Sequence, residues 1–234
     1  MRYVMKKWSA MALAAFATSM SAWATGSSIG WKEEALLHDG RKVVVERFYN
    51  LGGYAAIDSR ERQAIDEIVQ FRSPDTGKTI IWKTDFRDAV PEPNSLNLLL
   101  LDIVNGTPYI ATYPAGCIAY NKWKRPNPIY VFFKYEGDEW KRIPNEEFPS
   151  ELVRTNIIVG RPPVSLLKSF YTAEQVDEKN YYLEREHKTI LREPLPQARI
   201  NEMCEPMVHY KCGWFGTNPD GTFNKEFADR MCNK

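Results

Sequence analysis

The sequence lacks most of the features that announce an activity. Past residue 24 it has no apolar run long enough to cross a bilayer as a helix, which takes about 20 residues. Its most apolar stretch, Leu96 to Val104, carries Asn97 and Asp102 and predicts a buried strand. It lacks an excess of either charge. The chain holds 31 basic and 30 acidic residues; Arg2, Lys6 and Lys7 lie in the first 24 residues, which contain no acid, so 28 basic residues face 30 acidic ones beyond them. A balance this even argues against a nucleic-acid binder, whose footprint is a basic excess, and against strong attachment to anionic lipid. G-x-S-x-G occurs once, at Gly26-Ser27-Ser28-Ile29-Gly30, there is no C-x-x-C, and histidine is limited to His38, His187 and His209. The motif of thiol redox enzymes is therefore missing, and the Gly26 to Gly30 match, directly behind the signal segment, has no strand ahead of it to make the strand-to-helix turn of a nucleophile elbow.

What is present begins with an export signal. Arg2, Lys6 and Lys7 form a basic start, Trp8 to Ala17 is mostly apolar, and Ala22-Trp23-Ala24 supplies small residues at the two positions that signal peptidase grips. This order predicts a cleavable signal peptide over residues 1–24, with cleavage after Ala24. No cysteine follows that point directly, so lipoprotein processing is not expected. The remainder, 25–234, is expected to fold as one mostly β domain. Its length suits a single core, and no Gly/Ser linker or low-complexity tract divides it. Its aromatic content, including Trp31, Trp82, Trp123, Trp140 and Trp214, leans the same way.

Cys117, Cys204, Cys212 and Cys232 are even in number, which in an exported chain reads as two disulfides. Four cysteines allow three pairings. Cys117–Cys204 with Cys212–Cys232 is favoured because Met207 to Lys211 reads as a strand. An extended chain from Cys204 to Cys212 would span about 25 Å, and bridged Cα atoms sit within about 7 Å. A turn at Glu205-Pro206 would reopen the choice. Zinc at Cys204, His209, Cys212 and Cys232 is the competing use of these residues, but structural zinc sites use closer pairs, so no metal and no cofactor is expected.

Four hairpins are expected in succession. Their turns are His38-Asp39-Gly40-Arg41, Ser73-Pro74-Asp75-Thr76-Gly77, Asn105-Gly106 and Glu136-Gly137-Asp138, each between runs rich in β-branched or aromatic residues. The fold class is mainly β: an antiparallel meander of hairpins, packed as a sandwich, a barrel or a partial propeller, with a few short helices. Gly52-Gly53 and Asp58 to Asp66 are expected in a loop, Asn156 to Val159 and Lys188 to Leu191 as strands, Ser165 to Glu186 as the best helix, Pro206 to Trp214 as late strands, and Asn224 to Cys232 as a short helix.

Candidate chemistry is sparse. Sequence neighbours such as Glu33-Glu34 and Glu146-Glu147 point to opposite faces of a strand and make poor acid–base pairs. Asn218, Asp220, Gly221 and Asn224 miss the spacing of a calcium loop. His38 is expected solvated in its turn. No catalytic residue is assigned. The one segment expected to bind a ligand is the loop Tyr120 to Pro128, through Tyr120, Asn121, Trp123 and Arg125, whose rings can stack on sugars and whose amide and guanidinium can bond hydroxyls or carboxylates.

The run Leu98 to Tyr109, with Pro114-Ala115-Gly116-Cys117, Asn121-Lys122-Trp123, Tyr130 to Tyr135 and Leu191-Arg192-Glu193, resembles a group of uncharacterised exported proteins of proteobacteria. The resemblance covers most of the chain past the signal. It implies a periplasmic or envelope setting and brings no functional residue with it. The expectation is thus a periplasmic or secreted protein, non-catalytic, that binds an envelope component or a protein partner, with no nucleic acid and no transmembrane helix. The alternative is a hydrolase of envelope glycan or peptide working through a carboxylate pair.

Overall fold

Turn chemistry sets the topology. At Asn105-Gly106 both residues have positive φ (50° and 78°), as do Gly137 and Asp138 (63° and 64°). This left-handed pair gives a two-residue turn whose twist matches the strands it joins. A computed structural model of the chain describes residues 27–55 and 61–233. The signal segment ending at Ala24 and the residues 58–60 of the expected loop lie outside the described residues.

β1 (Ser27–Leu36), β2 (Lys42–Ala55), β3 (Arg62–Arg72) and β4 (Thr79–Asp85) form an antiparallel meander, extended at its β1 edge by the short parallel strand β9 (Phe170–Tyr171). β5 (Leu96–Val104), β6 (Thr107–Pro114), β7 (Val131–Glu136) and β8 (Glu139–Ile143) form a second meander. All four expected hairpins are present. The two sheets pack face to face, with Ala35, Val43, Val45, Val69, Phe71, Ile80 and Trp82 meeting Leu96, Leu98, Leu101, Ile103, Ile110 and Val131. The fold is therefore a sandwich rather than a closed barrel.

β5 carries a bulge between Leu98 and Leu100. Leu96 and Leu98 face the first sheet, Leu99 and Leu100 both face away, and Leu101 and Ile103 face inward again. The outer face is covered by Phe148, Leu152, Ile190 and Ile200 from the later chain. β5 is buried on both faces, so it reads as a continuous apolar run instead of an alternating one.

Several expectations are corrected. Gly52 and Arg62 to Asp66 belong to β2 and β3, whose pairing continues past a register break. Asn156 to Val159 is not a strand but a strap pinned group by group. Asn156 N–H donates to Leu99 O, and its side chain accepts from Leu101 N–H (3.0 Å) and donates to Leu101 O (2.8 Å) and Leu36 O (3.0 Å). An amide thus takes the place of a neighbouring strand along the free edge of β5. Ser165 to Glu186 is helical only in part. Phe170-Tyr171 is drawn onto β1, and α2 (Ala173–Lys179) starts at Thr172, whose hydroxyl and the side chain of Gln175 cap each other's backbone N–H. Next, α3 (Arg185–Lys188) occupies the start of the expected Lys188 strand, which survives as a single bridge between Arg154 and Thr189.

Cys117–Cys204 and Cys212–Cys232 are bridged, with Cα separations of 5.2 and 5.5 Å. The first staples α1 (Cys117–Lys122) to the end of α4 (Gln197–Met203). The second ties the hairpin of β10 (Met207–Tyr210) and β11 (Gly213–Gly216) to α5 (Lys225–Cys232). No helix among the described residues is long and apolar enough to cross a membrane.

Candidate functional site

The best-formed concavity lies where the β1–β2 turn meets the outer face of β5. Asp102 follows the bulge and points outward with Leu100, yet is buried beneath the turn. Its Oδ2 accepts from His38 N–H (2.8 Å), and its Oδ1 accepts from Ile103 N–H (2.7 Å) and from His38 Nδ1 (2.7 Å). A carboxylate at this distance fixes the proton on Nδ1, leaving Nε2 as the unpaired ring atom at a cavity of about 210 Å3. Leu36, Leu100, Leu152 and Val153 supply its apolar wall, and Glu151, Arg154 and Asp177 its polar rim. The turn is held by Asp39, which accepts from Arg41 Nε (2.7 Å), and by Arg41 reaching Asp75 (2.8 Å).

Arg154, Thr155 and Asp177 also line a second lobe of about 140 Å3, which continues the groove to Tyr181 and Lys188. Arg154 pairs with Asp177 at 2.6 Å. The Lys188 ammonium sits 5.0 Å above the Tyr181 ring and makes no ion pair among the described residues. Scaffold atoms hold the floor: Thr155 donates its hydroxyl to His187 O (2.6 Å), and Asn180 donates to Ile157 O (2.7 Å). The groove can therefore accept a hydrogen bond at His38, offer a cation at Lys188 and bury apolar surface between them. Among the described residues that line it there is no serine or cysteine, and no group of three His, Cys, Asp or Glu is placed to hold a metal.

A second ionic cluster is sealed inside the sandwich. Arg47 donates through Nη1 to Glu33 Oε1 and Ile158 O (both 2.9 Å), through Nη2 to the Tyr49 hydroxyl (2.9 Å), and through Nε and Nη2 to Glu67 Oε1. Its guanidinium stacks on Trp31 and Tyr49. Glu33 Oε2 accepts from Trp31 Nε1 and Ile158 N–H, while Glu67 Oε2 is buried with no hydrogen-bond partner. Burial pushes both carboxyls above the usual carboxylate range, against the pull of Arg47. Two acids thus share one cation where no water reaches, so the cluster favours retaining a proton. It reads as scaffold, because the side chains of Arg47, Glu33 and Glu67 are all fully buried.

Tyr120, Asn121, Trp123 and Arg125 are brought together, but on and just after α1 rather than on a long loop, and their polar atoms face inward. Tyr120 donates to Pro126 O (3.0 Å), Asn121 to Cys117 O and Glu205 O, Trp123 to Asn94 O (2.8 Å), and Arg125 to Cys204 O (2.9 Å). Buried Lys122 between them donates to Arg87 O and Asn94 Oδ1. This hub ties the 86–95 loop and the 203–207 segment to the second sheet. His38 is exposed in its turn, as expected, but its pairing with Asp102 joins residues 64 apart in sequence and was not foreseen. The Arg47 cluster had a readable signal: charged residues at inward positions of alternating strands.

No protein-family model matches the chain, and no curated protein and no solved structure matches it.

Proposed function

We propose that the chain is an exported protein of the periplasm or cell exterior, processed after Ala24, that binds an envelope component in the groove beside His38. The observation that carries this reading is the His38–Asp102 pair: a ring nitrogen held in fixed orientation at the mouth of a partly apolar cavity. The two disulfides fit an oxidising compartment. The near-neutral charge and the proteobacterial resemblance fit an envelope setting. The test has two parts. Expression in a Gram-negative host should release a periplasmic protein whose intact mass starts at Thr25 and whose cysteines resist alkylation. Ligand-observed NMR of that protein with small solubilised envelope fragments should show bound components for the wild type and lose them in His38→Ala. A cytoplasmic, uncleaved product, or equal signals from both proteins, would overturn the reading.

A hydrolytic reading has one observation in its favour: Asp102, Glu151 and Asp177 line the same cavity. Asp102 is engaged by three donors and Asp177 by Arg154, which leaves Glu151 as the carboxylate able to work on a substrate. A carboxylate mechanism calls for a pair about 5 to 10 Å apart. Release of reducing ends or peptides from envelope material, lost in Glu151→Gln, would establish hydrolysis over binding.

A further inference from the structure

We infer that the ligand of the groove is a saccharide bearing a carboxylate, its sugar body in the His38 lobe and its anionic group at Lys188. The inference rests on the binding reading above. Charge decides the acidic part. The second lobe holds two cations, Arg154 and Lys188, against one acid, Asp177, and Lys188 has no ion partner among the described residues. An anion placed there gains a charge-assisted hydrogen bond without displacing a carboxylate from Lys188.

The edge of β5 decides against a peptide laid down as an added strand. Such binding needs unpaired backbone groups along a free edge. Here Asn156 occupies Leu99 O, Leu101 N–H and Leu101 O, and Asp102 takes Ile103 N–H. What the groove offers instead is side-chain chemistry suited to a pyranose. Leu36 and Val153, both exposed, meet a C–H face, and His38 Nε2 accepts from a hydroxyl. Tyr181 stands at the far end, 66% exposed, with the ring of Tyr182, 90% exposed, edge-on to it at 5.0 Å. Rings left this open beside a polar groove provide stacking surface for sugar.

The test titrates the full processed protein by NMR or calorimetry with acidic and neutral sugars in pairs: glucuronic acid against glucose, which differ only at C6, and N-acetylmuramic acid, with its added lactyl carboxylate, against N-acetylglucosamine, with trialanine as the peptide control. The expected result is acidic sugars binding about tenfold or more tighter than their neutral partners, a preference abolished in Lys188→Gln and overall weakening in Tyr181→Ala. Both variants alter exposed or half-buried side chains, and an unchanged near-UV circular dichroism spectrum confirms the fold. Equal binding of acidic and neutral sugars, or no binding of either, overturns the inference. Trialanine binding that is lost in His38→Ala while every sugar fails would overturn it yet leave the groove standing as a binding site. If no probe binds and His38→Ala changes nothing with envelope fragments, both readings fall.

Discussion

Arg47 and Arg154 are the same residue engaged with carboxylates, and they do opposite work. Arg47 is 0% exposed, with two acids, a carbonyl, a hydroxyl and two aromatic faces around it. Arg154 is 69% exposed, holds Asp177 alone and borders a groove. The first cannot let go of any partner without stranding a charge where no water can replace it. The second can exchange its partner for a ligand at little cost. Access, more than residue type, separates scaffold from site in this molecule.

Breaking the sealed side carries the largest effect. Glu33→Ala removes an acceptor from Arg47, Trp31 and Ile158 together and is expected to cost about 3–5 kcal/mol in urea unfolding. Replacing Cys212 and Cys232 by serine opens a loop with a sequence separation of 20. It is expected to cost about 3 kcal/mol, with hydrogen exchange rising in β10, β11 and α5 before the sandwich. Asn156→Ala strands Leu101 N–H and two carbonyls and should cost about 2 kcal/mol or more, read as a lower urea midpoint.

Acidity sharpens the same contrast. Glu33 and Glu67 have carboxyls raised by burial, so the folded state holds protons more tightly than the unfolded chain. Their contribution is fully present below the ordinary glutamate range and declines as pH rises through the folded values. The buried Glu186 works the other way. Burial raises its pKa, but the hydrogen bond and charge of Arg199, a backbone hydrogen bond and His187 together lower it further, so the stability it contributes is lost as pH falls. Urea midpoints should therefore decline as pH rises above the ordinary glutamate range, and Glu67→Gln should flatten that decline. Smallest of all, Lys42→Ala loses exposed pairs with Glu34 and Glu174 and should shift stability by at most about 0.5 kcal/mol.

How much of this was readable in advance depends on how local each signal is. The hairpins were legible because Asp39-Gly40, Asn105-Gly106 and Gly137-Asp138 dictate turns without help from distant chain. The disulfide pairing was legible because β10 keeps Cys204 away from Cys212. The Arg47 cluster was legible in principle. Trp31, Glu33, Ala35 and Leu37 share one strand face, as do Val43, Val45, Arg47, Tyr49 and Leu51, so each face reads apolar apart from a charge. The groove was not legible. Asp102 reaches His38 only because the bulge at Leu99 reverses the facing of β5, and no alternation pattern announces a bulge inside a run of four leucines. The strap at Asn156 escaped for a similar reason: a side chain does there what a strand ordinarily does. Tyr120 to Arg125 looked like a binding loop because their chemistry suits ligands. Each of Tyr120, Asn121, Trp123 and Arg125 donates to a backbone carbonyl of the same chain, while Arg125 Nη1 is buried without a hydrogen-bond partner.

The most direct test is a side-by-side urea unfolding of Arg47→Ala and Arg154→Ala at neutral pH. The account predicts a loss of about 3–5 kcal/mol, or failure to fold, for Arg47→Ala, and less than about 0.5 kcal/mol for Arg154→Ala. Comparable losses in the two variants, or an Arg47→Ala protein of near wild-type stability, would contradict the division between a sealed scaffold cluster and an open site.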